Sequence, residues 1–212
     1  MFVVLLGPPG AGKGTQAQRI AAATRLLHIS TGDMFRENVR NGTEVGKLAD
    51  TYMSKGDLVP DEVTIRMLVE RISRPDAAEG AMFDGFPRNV VQATALDAAL
   101  KARNTKIDRA LLISVRDEEL ISRLGGRWIC RGCGTLYHEK NDPPKKAGVC
   151  DKCGGELYQR EDDRAEVVRN RLEKQKPPAD LIQHYRAAGV LKEIDGERGL
   201  DDVTASLLGA LK

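Results

Sequence analysis

The segment 7–13, Gly-Pro-Pro-Gly-Ala-Gly-Lys, has the residue types that bind phosphate through the backbone. Residues 2–6 before it are all apolar, which predicts a short strand buried on both faces. Residues 15–24 after it contain neither glycine nor proline, which predicts a helix. In such a loop, glycines let several N–H groups converge on an anion, the helix dipole adds positive charge, and Lys13 reaches the outer phosphates. The sequence therefore predicts a nucleoside-triphosphate site here.

The loop departs in one place from the usual phosphate-binding motif, in which serine or threonine directly follows the lysine. Here Gly14 follows Lys13, and the hydroxyl comes one place later, at Thr15. The spacing therefore gives less support to direct ligation of Mg²⁺ by this hydroxyl. The alternative interpretation is a glycine-rich tight turn that binds no ligand, which the strand and helix on either side disfavour.

A second polar group follows the short apolar segment 81–83. Asp84 there would lie at the carboxyl end of a buried strand, where an acidic residue near a phosphate loop predicts a contact to Mg²⁺ through water. An Asp-Gly pair by itself is more often only a turn. Arg88 and Gln92 stand four residues apart, which predicts a guanidinium and an amide on one face of a helix. The guanidinium matches a phosphate, and the amide matches the edge of a base.

The four cysteines form two close pairs, Cys130-x2-Cys133 and Cys150-x2-Cys153, sixteen residues apart. Each pair lies in a glycine-rich knuckle, and this spacing predicts a zinc ribbon with four thiolate ligands. Four sulfur ligands leave no open position, so the zinc would be structural and would stabilise a segment too short to build its own core. The alternatives are a redox role, which two pairs at metal-binding spacing disfavour, and His138 as a substitute ligand.

Arginines flank the cysteine module on both sides. Arginines on helices are usually solvated or ion-paired, and we expect this of Arg164 and Arg169. Asp162 and Asp163 before them are expected to cap a helix. The arginines at the two hinges of the module, opposite the phosphate loop, are better candidates for binding phosphate. They are Arg123, Arg127, Arg160 and Arg171.

Alternating short strands and helices would position these groups. Strands are predicted at residues 2–6, 26–30, 81–83, 109–114 and 190–195. Their alternation with helices indicates an α/β fold with a five-stranded parallel sheet covered on both faces. Ligands of such sheets bind beyond the carboxyl ends of the strands. One cleft should therefore contain the phosphate loop, Thr31, residues 84–88 and the cysteine module.

Residues 30–72 are predicted to form a helical insertion between the second and third strands. Thr31 and Asp33 are expected N-caps of its first helix, on which Thr31 and Arg36 could both face one ligand. His28, in the second strand, could be a ligand, but an isolated histidine in an apolar stretch is more often structural.

Composition and charge limit the function classes. The 212 residues are enough for one good core with small appended modules. With 33 basic and 31 acidic residues, the net charge favours neither nucleic acid nor a membrane surface. No apolar run is long enough to cross a membrane, and the N-terminal run lacks the basic flank of a secretory signal. We therefore expect a cytoplasmic protein, in which paired cysteines favour metal over disulfides.

Four segments together resemble the adenylate kinase family, in the long form whose lid binds zinc. They are residues 7–15 (Gly-Pro-Pro-Gly-Ala-Gly-Lys-Gly-Thr), 30–36 (Ser-Thr-Gly-Asp-Met-Phe-Arg), 83–88 (Phe-Asp-Gly-Phe-Pro-Arg) and 158–163 (Tyr-Gln-Arg-Glu-Asp-Asp). The resemblance covers essentially the whole chain. It implies a P-loop three-layer sandwich, divided into a core (residues 1–29, 60–125 and 164–212), an AMP-binding arm (30–59) and a zinc-bearing lid (126–163). It also implies the reaction ATP + AMP ⇌ 2 ADP and a role in adenine nucleotide homeostasis.

The resemblance further implies which residues bind each ligand. ATP would be bound by Gly10, Ala11, Gly12, Lys13, Gly14, Thr15, Arg123, Arg127, Leu136, Tyr137 and Arg198. AMP would be bound by Thr31, Arg36, Asp57, Leu58, Val59, Gly85, Phe86, Pro87, Arg88, Gln92, Arg160 and Arg171, with only a backbone contact at Asp57. The catalytic group would be Lys13, Arg88, Arg123, Arg160 and Arg171. Mg²⁺ would accompany ATP, with Asp84 contacting it through water, and structural Zn²⁺ would bind Cys130, Cys133, Cys150 and Cys153.

The resemblance makes ATP, AMP and ADP the expected partners of a cytoplasmic monomer, with no nucleic acid and no membrane. One alternative is a kinase that uses UMP, CMP or GMP. Thr31 with Gln92 favours adenine, although two polar residues discriminate only moderately. The other alternative is a zinc-ribbon ATPase that binds nucleic acid through Lys140, Lys145, Lys146 and Lys152. Few aromatic residues, Trp128 and two tyrosines, accompany those lysines to stack on bases.

Overall fold

The computed structural model describes residues 1–212, except for the surroundings of the Ala165 side chain. Its strands are β1 (Phe2–Leu6), β2 (Leu27–Ser30), β3 (Ala81–Asp84), β4 (Arg109–Ser114), β5 (Arg127–Cys130), β6 (Leu136–His138), β7 (Leu157–Tyr158) and β8 (Leu191–Asp195). Its helices are α1 (Lys13–Thr24), α2 (Thr31–Arg40), α3 (Glu44–Met53), α4 (Asp61–Ile72), α5 (Val90–Lys101), α6 (Asp117–Gly125), α7 (Ala165–Gln175), α8 (Ala179–Ala187) and α9 (Leu200–Ala210). In this described part of the chain, no helix has the length and apolar character needed to cross a membrane.

Five parallel strands form the central sheet in the order β2-β3-β1-β4-β8. The middle strand, β1, pairs in parallel with β3 on one side and with β4 on the other. All five residues of β1 are buried, because side chains alternate between two faces that helices cover. The predicted α/β fold with a five-stranded parallel sheet is confirmed.

Two apolar clusters lie on opposite faces of this sheet. Phe2, Val4 and Leu6 pack into one cluster with residues of α4, α5 and α8. Val3 and Leu5 pack into the other with residues of α1, α6, α7 and α9. Each fully buried side chain of this size contributes ~1.5–3 kcal/mol through the hydrophobic effect. The two clusters therefore fix the carboxyl ends of the strands, from which the loops of the site emerge.

Residues 30–72 form a helical insertion between β2 and β3, as predicted, but the start of α2 differs. Thr31 and Asp33 do not cap this helix, because both lie inside its first turn. Ser30 caps it instead: its hydroxyl accepts the N–H of Asp33 at 3.2 Å. The helix thus begins immediately after β2. A small apolar cluster around Phe35 and Val59, with Val63 and Met67 of α4 packed against it, lies within this insertion.

Strands β5, β6 and β7 form a second, antiparallel sheet in the order β6-β5-β7. Its apolar cluster consists of Tyr137, Leu157 and two of the cysteines, with Trp128 packed against it. A cluster of this size stabilises little structure by itself. This agrees with the expectation that the module needs a metal.

Candidate active site

The glycine-rich segment forms a loop between β1 and α1, at the carboxyl end of the central strand. Gly12 caps α1 in a left-handed conformation, with φ 84°. The helix starts at Lys13, two residues earlier than predicted. The N–H groups of its first turn have no partner within the helix and carry the positive end of the dipole. The loop therefore presents a backbone site for an anion.

The side chain of Lys13 lies inside this loop and is only 8% exposed. Its Nζ donates hydrogen bonds to the carbonyls of Gly7 and Pro8 at 2.8 and 2.9 Å. Burial, followed by the charge of Arg88, lowers the pKa of Lys13 to about 7, against a smaller opposing effect of Asp84. A nearby anion favours the charged form of a lysine. A phosphate group bound in the loop would therefore raise the pKa of Lys13 and favour its charged form.

Asp84 ends β3 and is buried beside the first turn of α1, where the sequence placed it. A Cβ atom on Gly14 would lie 3.5 Å from Oδ2 of Asp84. Burial alone would raise the pKa of Asp84, but its contact with His28 and the charge of Lys13 hold that pKa below its usual value. The Nε2 atom of His28 lies 3.4 Å from Oδ2. A buried carboxylate next to the phosphate loop is the type of group that fits the hydration shell of Mg²⁺.

A second cleft, of about 540 Å³, opens between the arm and the core beside the phosphate loop. The hydroxyl of Thr31 donates to the carbonyl of Gly85 in this cleft, at 3.0 Å. Gly85 has φ 81°, and a Cβ there would lie 2.9 Å from that hydroxyl, so only glycine allows the approach. Other residues that line the cleft are Arg36, Leu58, Val59, Gln92 and Arg171.

Arg88 lines this cleft and also a smaller cavity, of about 200 Å³, that extends to Lys13. Its Nε donates to the carbonyl of Gly85 at 2.8 Å. Burial lowers the pKa of Arg88 to about 10, although Asp84 opposes the shift. The expectation that Arg88 and Gln92 share a helical face is wrong, because α5 begins only after Asn89, its N-cap. Arg88 instead contributes from the loop before the helix.

The carboxamide of Gln92 is buried, with 1% of the residue exposed, and it is held at both ends. Its Oε1 accepts the backbone N–H of Arg88 at 2.8 Å. Its Nε2 donates to Oδ1 of Asp61 at 2.6 Å. Asp61, the first residue of α4, also accepts from the side chain of Asn89 at 2.9 Å. The sequence did not identify Asp61, because Pro60-Asp-Glu there indicates only the start of a helix.

Arginines from the arm, the lid and α7 converge on the other side of the cleft. Burial, followed by the charges of Arg36 and Arg127, lowers the pKa of Arg160 to about 9. Among the described residues, the Nε atoms of Arg160 and Arg171 are buried donors without a hydrogen-bond partner. Buried unpaired donors are rare and often mark functional sites. The cluster therefore has both the charge and the free donors to bind an anion.

Two aspartates partly balance this charge. Asp163, whose side chain is 0% exposed, accepts from Nε of Arg127 at 2.8 Å and from Nη1 of Arg171 at 2.7 Å. Asp162 pairs with Arg171 at 2.9 Å. The prediction that these aspartates cap the next helix is wrong: they form a short 3-10 turn, and Arg164 occupies the N-cap of α7. Buried arginines attract the carboxylates more strongly than the free N–H groups of the helix do.

Replacing Asp163 with asparagine should destabilise the protein by about 3 kcal/mol, because it leaves the buried guanidinium of Arg171 and the half-buried guanidinium of Arg127 with less counter-charge. Urea unfolding of the parent and of Asp163→Asn measures this loss. The matched control is Asp201→Asn, which removes an exposed carboxylate paired with Arg19. It should change the unfolding free energy by no more than about 0.5 kcal/mol. Equal losses for the two variants would contradict the role of Asp163.

Four further residues expected to bind ATP differ in their exposure and in their contacts within the protein. Arg123 on α6 pairs with Glu119 one turn earlier, at 2.7 Å. The phenol oxygen of Tyr137 accepts the N–H of Asp151 at 2.7 Å, so its ring packs inside the lid beside the half-buried Leu136. Arg198 is exposed in the turn between β8 and α9. Contacts of these residues with a nucleotide stay predictions.

The turn that ends the arm contacts α7. Asp57 accepts from Nζ of Lys174 at 2.6 Å and from the side chain of Asn170 at 3.2 Å. The side chain of Gln175 donates to the carbonyl of Gly56 at 2.8 Å. The side chain of Asp57 is therefore engaged in hydrogen bonds to α7, which is compatible with the expected backbone-only contact to AMP.

The four cysteines form one group, with all four sulfur atoms within 4.8 Å of one another. Cys130 lies 3.4 Å from Cys153, and Cys133 lies 3.6 Å from Cys150, measured between sulfurs. A tetrahedral zinc with bonds of about 2.3 Å requires sulfurs roughly 3.8 Å apart. The N–H groups of Gly132 and Cys133 point at the sulfur of Cys130, as they do toward a thiolate. The group therefore fits a structural zinc ion.

The lid carries a mostly exposed loop, residues 139–148, between the two cysteine pairs. Lys140, Lys145 and Lys146 lie in it. His138, just before this loop, directs its Nε2 to the carbonyl of Ser122 at 3.3 Å. The cysteine group thus lies at the base of the loop, and His138 is engaged elsewhere.

A protein-family model described as adenylate kinase matches residues 5–190 of this chain. Among curated relatives, the adenylate kinase of Carboxydothermus hydrogenoformans is 52% identical over 213 residues, covering 100% of each chain. The adenylate kinase of Lachnospira eligens is 49% identical over 214 residues with the same coverage. The adenylate kinase of Brevibacillus brevis is 52% identical over 215 residues, again covering 100% of each chain.

Proposed function

Because this chain belongs to the adenylate kinase family and transfers the terminal phosphoryl group of ATP to AMP, giving two ADP, we propose that the loop after β1 binds ATP and the 540 Å³ cleft binds AMP. The observation that carries the assignment is the position of Arg88. Its side chain lines both the AMP cleft and the cavity that reaches Lys13. The phosphates of two nucleotides in these sites would meet between Lys13 and Arg88.

On the acceptor side, the nucleophile is a phosphate oxygen of AMP. This oxygen is already anionic, so no general base is needed, and the reaction depends on in-line placement and charge stabilisation. We assign Arg36 and Arg88 to the phosphate of AMP, and the amide of Gln92 to the base. The oxygen forms a bond to the γ-phosphorus of ATP while the bond to the β–γ bridging oxygen breaks, and ADP leaves with that electron pair.

On the donor side, the backbone of residues 10–15 binds the phosphates of ATP and Lys13 contacts the outer ones. Bound Mg²⁺ would supply positive charge next to the β- and γ-phosphates, and Asp84 would hold its hydration shell. The guanidinium groups of Arg160 and Arg171, with their free Nε donors, would stabilise charge on the group in transfer. Arg123 and Arg127 would join the ATP phosphates from the lid hinge. Leu136, Tyr137 and the backbone of Arg198 would contact the adenine.

The division into core, arm and lid has a mechanistic purpose in this proposal. Water can accept a phosphoryl group, so closure of the lid (126–163) and the arm (30–59) over the core prevents wasteful hydrolysis of ATP. Zinc on the four cysteines would make the lid rigid enough to move as one body. Supporting this, the lid has its own small sheet, and an apolar cluster lies within the helical insertion that contains the arm.

A coupled assay of ADP formation tests the substrate assignment. With ATP present, AMP should be the preferred acceptor over GMP, UMP and CMP, and ATP alone should give only slow hydrolysis. Single-stranded DNA should leave the rate unchanged, which separates this enzyme from a nucleic-acid-dependent ATPase. Formation of ADP at the same rate with and without AMP would overturn the proposal. The expected monomeric state, cytoplasmic location and role in adenine nucleotide homeostasis stay predictions.

A further inference from the structure

The half-buried carboxylate of Asp61 has no assigned part in catalysis, yet it contacts a residue of the proposed AMP site. Its Oδ1 accepts from Nε2 of Gln92 at 2.6 Å, and Gln92 lines the AMP cleft. Asp61 itself does not line that cleft. It therefore influences a base in the cleft only through Gln92, as a positioning residue.

The two hydrogen bonds of Gln92 fix which end of its amide is the donor. A carboxylate has only acceptors, so the atom facing Asp61 must be the NH₂ group. A backbone N–H is only a donor, so the atom facing Arg88 N, at 2.8 Å, must be the carbonyl oxygen. Rotation of the amide by 180° would place oxygen against a carboxylate and NH₂ against an N–H. The surroundings thus assign the amide orientation and oppose its inversion.

The positions of the donor and the acceptor on the Gln92 amide matter because adenine and guanine carry opposite hydrogen-bonding groups at position 6 and at the neighbouring ring nitrogen. Adenine has an amino donor at position 6 beside a ring-nitrogen acceptor, which matches the oxygen and the remaining N–H of a carboxamide. Guanine has an acceptor oxygen at position 6, which requires the opposite amide orientation. A free glutamine could satisfy either base by inverting. A glutamine that cannot invert would contact one base and leave unpaired polar groups with the other.

We propose that Asp61 determines acceptor specificity by locking the amide of Gln92 in the orientation that accepts AMP and rejects GMP. The inference rests on the proposed function of the 540 Å³ cleft as the AMP site. Since the phosphate is held by arginines at one end of the cleft, the base presents its edge to Gln92 in one direction only. The hydrogen bond to Asp61 therefore selects one of the two orientations in which the Gln92 amide could face the base.

The test compares Asp61→Asn with the parent, using AMP and GMP as acceptors at saturating Mg-ATP. Asparagine has the same shape but can offer either a donor or an acceptor, so Asp61→Asn removes one of the two contacts that oppose inversion of the Gln92 amide and leaves only the N–H of Arg88. The ratio of kcat/KM for AMP to that for GMP should fall by about tenfold, as expected when a hydrogen bond to a charged group is lost. The loss with AMP should appear mainly in KM, since base contacts form before the chemical step.

The control is Asn89→Ser, because Asn89 makes the other hydrogen bonds to Asp61. Serine retains a side-chain oxygen to cap α5 but removes the Nδ2 donor that reaches the carboxylate. This variant should lower thermal stability and change the AMP-to-GMP ratio by less than about twofold. A ratio unchanged in Asp61→Asn, or changed equally in Asn89→Ser, would overturn the lock.

A second measurement covers the case in which Asp61→Asn does not fold. In the ¹⁵N NMR spectrum of the parent, one side-chain amide proton of Gln92 should resonate downfield of those of exposed glutamines, because it faces a carboxylate. It should keep that shift when AMP binds. A shift typical of exposed glutamines would overturn the lock. If the parent does not use AMP as an acceptor, the proposed function fails, and that outcome is distinct from an AMP-dependent enzyme whose specificity ignores Asp61.

Discussion

Replacing Lys13 with methionine lowers kcat for ADP formation by at least about 10²- to 10³-fold, the usual loss when a preorganised donor to a developing charge is removed. The side chain is buried in the phosphate loop, so no nearby surface lysine can substitute for it. Steady-state rates with ATP and AMP measure the effect. The matched control is Lys192→Met, an exposed lysine on β8, which should retain the parent rate. A Lys13→Met enzyme with nearly normal turnover would remove Lys13 from the mechanism.

The same variant should not lose stability, and its pH dependence has a defined sign. The pKa of Lys13 is about 7 in the folded protein, below the ordinary value of 10.5. Between these values the unfolded chain binds a proton that the folded chain does not, so Lys13 makes the parent more stable as pH rises. Methionine lacks this dependence. The advantage of Lys13→Met in unfolding temperature should therefore be largest near pH 7 and should shrink toward pH 10.5. A difference that is constant over this window would contradict the burial effect.

Removing the metal should lower the unfolding temperature of the protein by roughly 10 °C, because the lid has only a small apolar cluster to stabilise it. Cys150→Ser, or a strong chelator added to the parent, should produce this shift in calorimetry. The parent should release one zinc ion per chain on treatment with a thiol reagent. At temperatures well below the unfolding transition, the metal-free protein should keep most of the parent's rate of ADP formation, although its unfolding temperature is lowered.

Thr135→Val is the control for the cysteine variant. The hydroxyl of Thr135 lies 3.1 Å from the sulfur of Cys133, so this change alters one contact near the group and retains all four thiolates. It should bind zinc and shift the unfolding temperature by no more than a few degrees. Identical unfolding of the parent with and without chelator would show that the cysteine group has no structural metal.

The fold was predictable because its signals are local and strong. The apolar segment before Gly7 and the glycines after it specify a strand and a loop, and the two cysteine pairs specify a metal group by spacing alone. The element boundaries were less predictable. Ser30, Thr31 and Asp33 are all good capping residues, and sequence alone does not show which one lies just before the first turn.

The partners of the charged residues were not predictable, because they depend on contacts between distant segments. Asp163 pairs with Arg127 across 36 positions, and Asp61 reaches Gln92 across 31. In the sequence, Asp162 and Asp163 resemble helix caps, whereas the folded chain places them among buried arginines that outcompete the helix. The kinds of residue that form the site, namely glycines, a lysine and arginines, were predictable from the sequence. The carboxylates that position the arginines and Gln92 could be identified only from the structure.

The cysteine group at the base of the loop 139–148 bears on whether this loop can be lengthened or cut without unfolding the lid. Strands β5 and β7 pair directly on the two sides of that loop, and a zinc ion on the four cysteines would join the same two sides again. Lengthening the loop costs little closure entropy, since an insertion adds only to a segment whose ends are already held. A protease that cuts after Lys145 would leave two fragments still fastened to each other. We therefore expect this part of the lid to tolerate insertions, tags and nicks.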